Sequence, residues 1–326
     1  MFDIIGDVHG HLIPLTALLH HLGYREDDGV WQYPGQTRRV LFVGDYIDRG
    51  PHIPETVALV RKMVARGSAV AVMGNHEYNA ITWHTPDGRG DWLRTHSTVH
   101  RRQHAATLEQ YGMDPLGNAS PTPELAADLA WMRSLPLYYR DDRIIVVHAA
   151  WEEQAVADIA ADPLVLLDDE ALYRSAYGEY RESRSVEILL KGVEMPLRGD
   201  RFYVDKDGTR RRKTRVRWWL NNQPASLTMK DVAMPPADTE LGSMPVDPWM
   251  MSHLPGYQDR RLIFLGHYWL SGQPAPLASR VACLDYSIAR GGLLCAYRFA
   301  GETAVQQENY CAVDTDGNLR VSSSLR

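Results

Sequence analysis

Five short polar clusters follow apolar runs along this chain of 326 residues, and they constrain the fold more than any other feature. The apolar runs have the length and composition of buried strands, and they lie at residues 2–5, 40–43, 69–73, 144–147 and 262–265. The clusters that follow them are residues 7–10, 44–50, 74–77, 148 and 266–267. In α/β sheets, ligands bind beyond the carboxyl ends of the strands. The pattern therefore predicts that five distant segments converge on one site at a sheet edge.

Helical periodicity separates the strands in the first half of the chain, at residues 13–22, 55–65, 97–110 and 124–133. This alternation predicts a mostly parallel sheet covered by helices. The alternation stops between residues 152 and 260, where we predict a hairpin with strands 201–204 and 212–220 around a turn at 206–208. We interpret 152–260 as a cap inserted into a single domain of residues 1–326. The remaining segments 281–284, 293–299 and 303–307 have strand composition and predict antiparallel pairing.

Bulk composition excludes some classes of protein. The formal net charge of -6 gives no global attraction to nucleic acid or acidic membranes. No apolar run approaches the roughly 20 residues that span a bilayer, and the chain starts without a basic, apolar leader. The three cysteines show no metal-binding or disulfide spacing. We therefore expect a cytoplasmic protein with neither a membrane nor a nucleic acid as partner.

The residue types in the clusters indicate metal-assisted phosphate chemistry. Asp and neutral His suit divalent transition metals, and Asn can add a carbonyl oxygen. A carboxylate between two such sites can bridge two ions, which would activate a shared water and hold the phosphoryl group. Arg49 offers a planar fork for two phosphate oxygens. His76 can protonate a leaving oxygen if Asp48 orients it.

Taken together, the clusters resemble the calcineurin-like metallophosphoesterase superfamily, on its phosphoprotein-phosphatase branch. That branch has Asp-x-His-Gly, Gly-Asp-x-x-Asp-Arg-Gly, Gly-Asn-His-Glu, a later His and Gly-His, and all five are present between residues 7 and 267. The resemblance implies a four-layer α/β/β/α sandwich of two mixed sheets. It implies a hydroxide that bridges two divalent ions, with Mn expected and Fe, Zn, Co or Ni compatible.

The same resemblance assigns roles residue by residue. It implies one metal ion held by Asp7, His9 and Asp45, and a second held by Asp45, Asn75, His148 and His267. Arg49 and Asn75 would bind phosphate, and His76 with Asp48 would form the acid dyad. A second phosphate-binding arginine is expected between the fourth and fifth clusters, and its candidates are Arg181, Arg198, Arg215 and Arg217.

Departures from the family pattern bear on the substrate. Ala150 and Tyr268 replace a usual Gly and Thr, and residues 284–294 resemble a bacterial pattern of Asp-Thr-Gly followed by Gly-Gly-x-Leu. That pattern occurs in diadenosine tetraphosphatases and in the phosphatase domain of polynucleotide kinase-phosphatase. Asp48 and Glu77, however, are often replaced in the symmetrical tetraphosphatases. We therefore predict a bacterial phosphomonoesterase of the phosphoserine and phosphothreonine type, with a bis(5'-nucleosyl)-tetraphosphatase and a nucleic-acid end phosphatase as alternatives.

Other features allow more than one interpretation. The basic run 210–217 with Trp218 and Trp219 could hold a phosphate-rich substrate and stack on a base, or could be a solvated hairpin whose tryptophans anchor the insert. His96, His100 and His104 recur on one helical face, which favours a partly buried polar face over a metal site. A binding protein that retains the metal centre without turnover is a further alternative.

Overall fold

Two β-sheets form the centre of the protein. The computed structural model describes residues 1–117, 120–159, 165–204, 210–220, 227–234 and 240–323. Within them the strands are β1 (Phe2–Ile5), β2 (Arg25–Asp27), β3 (Val30–Gln32), β4 (Arg39–Phe42), β5 (Ala69–Ala71), β6 (Tyr138–Arg140), β7 (Ile144–Val147), β8 (Glu194–Pro196), β9 (Tyr203–Val204), β10 (Arg210–Arg211), β11 (Lys213–Arg215), β12 (Leu262–Leu265), β13 (Val281–Cys283), β14 (Asp285–Tyr286), β15 (Leu293–Phe299), β16 (Tyr310–Val313) and β17 (Leu319–Val321).

The first sheet has the order β17-β16-β15-β1-β4-β5, with β14 paired to β15. Strands β1, β4 and β5 are parallel, whereas β15 runs antiparallel to both β1 and β16. The second sheet has the order β13-β12-β7-β6, in which only β6 is antiparallel to its neighbour. Both sheets are therefore mixed, and each has parallel strands whose carboxyl ends lie at a common edge.

The two sheets pack face to face through alternate side chains, as the period of two in a strand requires. Ile4 of β1, Val146 of β7 and Phe264 of β12 share one buried cluster between the sheets. Their neighbours along each strand, such as Ile5 and Val147, belong to the cluster that includes the helices. The predicted four-layer α/β/β/α sandwich is thereby confirmed.

Helices cover the outer faces. α1 contacts β15 and β16, and α2 contacts β5. The helices of the described residues are α1 (Leu12–His21), α2 (Ile53–Ala65), α3 (Asn75–Trp83), α4 (Thr98–Gln110), α5 (Pro123–Arg133), α6 (Glu153–Asp158), α7 (Asp169–Ala176), α8 (Arg181–Lys191), α9 (Met229–Val232), α10 (Glu240–Ser243) and α11 (Pro248–Ser252). None of them is both long and apolar enough to cross a membrane.

The segment 152–260 contains α6 to α11 and two small strand pairs. β9 pairs with β10 at residues 210–211, which precede the predicted second arm 212–220, and the predicted turn 206–208 lies outside the described residues. The second arm was predicted as one strand, but β11 pairs with β8 instead of β9. Trp218 and Trp219 are buried against each other, and Trp218 also packs on Tyr257. These rings anchor the insert and are not placed to stack on a base.

Two predictions for the C-terminal region were wrong. Residues 303–307 form no strand, because the amide of Gln306 donates to the Tyr297 hydroxyl and the amide of Val305 donates to the Ser279 carbonyl. The strand lies further on, at β16. In addition, β13 pairs in parallel with β12 in the second sheet and is not antiparallel.

Candidate metal centre

The five polar clusters meet where the carboxyl ends of both sheets face each other. Asp7, Asp45 and Asn75 follow β1, β4 and β5 of the first sheet. His148 and His267 follow β7 and β12 of the second. Hydrogen bonds join the two groups across the gap, since the amide of His267 donates to Asp7 Oδ2 over 3.0 Å. The predicted convergence on one site is observed for all five clusters.

Asp45 lies at the centre of this arrangement. Its Oδ2 is 3.6 Å from Nε2 of His9, and its Oδ1 is 3.4 Å from Nε2 of His148. Two groups of buried donor atoms share this carboxylate: one is completed by His9 and His76, the other by Asp7 and His148. A single carboxylate that belongs to two donor groups can bridge a pair of metal ions.

Asn75 joins the histidines of the second sheet to the first. Its Oδ1 lies 3.0 Å from Nε2 of His148 and 2.8 Å from Nδ1 of His267. An amide oxygen and two imidazole nitrogens so close together form a compact set of ligand atoms for a transition metal.

Backbone carbonyls orient the imidazole rings. His9 Nδ1 lies 2.8 Å from the Ile47 carbonyl oxygen, and His148 Nδ1 lies 2.9 Å from the Val43 carbonyl oxygen. Because a carbonyl only accepts, both Nδ1 atoms carry a proton, and the Nε2 atom of each ring faces Asp45. Such outer contacts fix the tautomer of metal-binding histidines.

Two buried polar atoms of the site show that a further group fits there. Asp7 Oδ1 and His267 Nε2 have no hydrogen-bond partner within the described part of the chain. An orphaned buried acceptor is costly, and metal coordination is one of the few ways to compensate it. The residues present thus fit bound divalent metal ions, although the donor groups place Asp7 with His148 and not with His9 as predicted.

In the metal-free site, burial is the largest influence on the pKa of each of these ionisable groups. Burial lowers the pKa of His9 to about 3, so the ring is neutral and able to ligate. Burial, with the nearby negative charge of Asp285, raises the pKa of Asp7 well above its ordinary value. Burial alone would also raise the pKa of Asp45, but the charge of His148 overcomes it and lowers that pKa.

Asp48 and His76, the pair predicted to form the acid dyad, are in contact, and Asp48 has further partners on α4. Asp48 Oδ2 lies 2.5 Å from Nδ1 of His76. The other carboxylate oxygen accepts from Nδ1 of His104 over 2.9 Å and from the Thr107 hydroxyl over 2.5 Å, both on α4. Burial by itself lowers the pKa of His76, but the charge of Asp45 and the hydrogen bond with Asp48 outweigh it and raise that pKa.

His104 is a site residue whose role was missed in the sequence. The stripe of His96, His100 and His104 was predicted to be a partly buried polar face, and His104 is indeed buried. Its contact with Asp48 joins positions 56 residues apart, so helical spacing could indicate its burial but not its partner.

Glu77 holds the second and third clusters together. Its carboxylate accepts hydrogen bonds from the amides of Gly74, Asp45 and Tyr46 at 2.8 to 2.9 Å, and from Ile47 at 3.3 Å. Burial, followed by the charge of Asp45, raises the pKa of Glu77 to about 7. Glu77, the last residue of the Gly-Asn-His-Glu cluster, therefore holds the loop that carries Asp45 in place.

Tight backbone geometry surrounds the site. Of the nine described non-glycine residues with positive φ, seven lie in its loops: His9, Asp45, Asp48, Arg49, His267, Trp269 and Ser287. Such conformations cost about 1–3 kcal/mol each and concentrate at functional sites. Gly266 is required for a different reason, since a Cβ there would lie 1.9 Å from Asp7 Oδ1.

Two arginines lie near the metal ligands. The guanidinium of Arg49 is exposed at the site, and its Nη2 is 3.3 Å from Nε2 of His76. Of the four candidates for a second phosphate-binding arginine, Arg215 is the one whose charge acts on His267: burial, then Arg215, lowers the pKa of that imidazole.

The family model for calcineurin-like phosphoesterases matches residues 1–221 of this chain. The chain belongs to the calcineurin-like phosphoesterase family. This confirms the resemblance drawn from the five clusters, and the expected class of enzyme, a metal-dependent phosphoric ester hydrolase, is the class of that family.

Similarity to individual proteins is partial. Two bis(5'-nucleosyl)-tetraphosphatases PrpE (asymmetrical) are similar in sequence: that of Halalkalibacterium halodurans is 48% identical over 75 residues, and that of Geobacillus sp. is 35% identical over 152 residues. These matches cover 23% and 45% of this chain, and 30% and 56% of the relatives. The chain thus spans between about a third and just over half of their length. A cold-active protein-tyrosine phosphatase of a psychrophilic Shewanella has 15% identity and a TM-score of 0.48, over 98% of this chain and 80% of that one.

Proposed function

We propose that this calcineurin-like phosphoesterase hydrolyses phosphate esters with two divalent metal ions, and that Mn²⁺ is the activating ion. The shared position of Asp45, between His9 on one side and His148 on the other, carries the proposal. When bound, the two ions would supply an activated water and neutralise charge on the phosphoryl group. In this proposal Asp7, His9 and Asp45 hold one ion, and Asp45, Asn75, His148 and His267 hold the other.

The remaining groups act on the substrate itself. Arg49 binds two phosphoryl oxygens with its planar fork, and Asn75 adds its side-chain amide. His76 donates the proton on Nε2 to the departing oxygen, while Asp48 holds the opposite ring nitrogen. Because Arg49 Nη2 lies 3.3 Å from that Nε2, phosphate binding and proton donation occur at the same ester. We assign the second phosphate-binding arginine to Arg215.

Dinucleoside tetraphosphates are our first candidate substrates. The sequence relatives named above are bis(5'-nucleosyl)-tetraphosphatases, with identities up to 48%. The second candidate is a phosphoserine or phosphothreonine protein, which is favoured by the intact pair of Asp48 and His76.

A substrate panel tests both the metal-dependent hydrolysis of phosphate esters and the choice of substrate. The purified protein with Mn²⁺ is assayed on para-nitrophenyl phosphate, with and without a chelator, and then on diadenosine tetraphosphate, phosphoserine and phosphothreonine peptides, and 3'- and 5'-nucleotides. Metal-dependent release of para-nitrophenol is expected. Absence of turnover on every substrate would favour the alternative of a binding protein, whereas a peptide preference would reverse the order of the two candidates.

A further inference from the structure

Two arginines from distant parts of the chain stack on one indole ring at the mouth of the site. The guanidinium carbons of Arg49 and Arg290 each lie 4.1 Å from the centroid of a Trp269 ring. Both cations therefore lie against the same indole side chain. Arg49 is already assigned to the reacting phosphate in the proposed function, but nothing assigned so far uses Arg290.

The fold holds this stack in place through Asp285. The amide of Trp269 donates to Asp285 Oδ2 over 2.6 Å, and the amide of Ser287 donates to Oδ1 over 2.9 Å. Trp269 and Ser287 both have positive φ, which these bonds to a buried carboxylate offset. Arg290 ends the short 3₁₀ turn Ile288–Arg290, which starts directly after Ser287. The same carboxylate thus positions the ring and the segment that carries the second arginine.

Carboxylates act on Arg49 only from a distance: burial lowers its pKa, and the charges of Asp45, Asp48 and Asp285 raise it. Within the described part of the chain, neither Arg49 nor Arg290 has an ion pair with an Asp or Glu. Arg290 is exposed, so a ligand can reach it. Stacking on an indole fixes the plane of a guanidinium and leaves its N–H groups free to bind an anion. Two pre-oriented cations held by one indole suit two linked anionic groups better than one.

We propose that Arg290 binds a second phosphate group of the substrate, next to the phosphate held by Arg49, so that the site selects compounds with linked phosphates. This inference rests on the proposed function and narrows its substrate class to nucleoside polyphosphates. A monoester such as a phosphopeptide presents one phosphate to Arg49 and leaves Arg290 without a ligand.

Variants of Arg290 test this with paired substrates. R290A and R290K are compared with R280A, which alters an exposed arginine at the amino end of β13, the end away from the metal centre. For R290A we expect kcat/KM on diadenosine tetraphosphate to fall about 10- to 100-fold, since a charge-assisted hydrogen bond to phosphate is lost. On para-nitrophenyl phosphate the value should change by less than about 2-fold. R290K should recover part of the loss, and R280A should match the unaltered protein on both substrates.

An equal loss on both substrates would overturn the proposal, because it would show that Arg290 only supports Trp269 and Arg49. Unchanged rates on both substrates would overturn it as well. If the unaltered protein hydrolyses neither substrate, the proposed function fails first, and the role of Arg290 is then decided by binding alone.

That binding test needs no turnover. Calorimetric titration of the metal-free protein in chelator with inorganic tripolyphosphate and with orthophosphate separates linked from single phosphates. R290A should weaken tripolyphosphate binding about 10-fold or more and leave orthophosphate binding unchanged. Equal affinities of R290A and R280A for tripolyphosphate would refute a second phosphate site.

Discussion

Asn75 Oδ1 lies 2.8 Å from Nδ1 of His267, although 192 positions separate the two residues. Asn75 opens α3 behind β5 of the first sheet, whereas His267 follows β12 of the second. The contact therefore crosses from one sheet to the other. Together with the bond from the His267 amide to Asp7, it makes the candidate metal centre a joint between the sheets. Loss of these contacts should therefore weaken the packing of the two sheets against each other.

Asp45→Asn should release metal. Replacement of one charged oxygen by an amide weakens the carboxylate that both donor groups share, so we expect fewer than two ions per chain and no detectable turnover. Metal content is measured by plasma mass spectrometry after gel filtration. Asp48→Asn is the matched control, and it should retain both ions; an Asp45→Asn protein that keeps two ions would contradict the bridging role.

His76→Asn should separate chemistry from metal binding. The substitution removes the proton donor to the leaving oxygen, so kcat on a phenyl phosphate with a poor leaving group should fall by about 10²–10⁴. KM and metal content should stay close to those of the unaltered protein. Normal turnover by a metal-replete His76→Asn protein would eliminate the acid assignment.

His104→Gln should slow the reaction through Asp48. Loss of the 2.9 Å bond to Asp48 Oδ1 frees the carboxylate to rotate away from His76, and we expect kcat to fall about 10-fold with KM unchanged. The exposed histidine His253 provides the control variant His253→Gln. If His104→Gln and His253→Gln have the same kcat, the contact serves only packing.

Asp3→Asn should destabilise the fold without a direct effect on chemistry. Asp3 is fully buried in β1, where it pairs with Arg38 over 3.1 Å and with Arg298 over 2.9 Å. Removal of the charge leaves two arginines without their counter-ion, and breaking a buried pair costs about 3–5 kcal/mol. Urea unfolding gives the free energy of unfolding; the exposed substitution Asp316→Asn should change it by less than about 0.5 kcal/mol.

His84→Gln should reduce the loss of stability in acid. Burial, then the neighbouring His104, lowers the pKa of His84 to about 3. Between its unfolded value near 6.5 and pH 3, only the unfolded chain takes up this proton, so stability falls as the pH falls through that window. The variant should reduce the slope of the free energy of unfolding against pH by up to about 1.4 kcal/mol per pH unit. Unfolding of the metal-free protein from pH 7 to 4 measures this slope. His21→Gln, at an exposed helix end, should keep the original dependence.

The site was predictable because its chemistry sits in short, contiguous clusters. Asp7 and His9, or Asp45 with Asp48 and Arg49, are joined by a few peptide bonds, and the apolar runs before them indicate strand ends. His104, Asp285 and Arg290 act through contacts with residues 56, 16 and 21 positions away. The histidine stripe and the 284–294 pattern contain them, but neither signal identifies a contact partner, so the prediction gave these three residues no role.

The strands of the fold were also predictable only in part. Strands with strong apolar runs, such as β1, β7 and β12, were predicted to the residue. The pairing of β13 was not, because an apolar strand of three residues can join either sheet, and the choice depends on which edge is open after the others have packed. Likewise, residues 303–307 have strand composition, but the amide of Gln306 donates to a side chain and the amide of Val305 donates to a loop carbonyl.

The sequence by itself determined the order of the five clusters, their residue types and thus the family, because strand periodicity and ligand chemistry are local properties of the chain. Only the tertiary structure decided that His104 supports Asp48, that Asp285 positions Trp269, and that Arg290 shares Trp269 with Arg49. These contacts join segments far apart in the chain, and their distances are set by packing between layers, which no local pattern encodes.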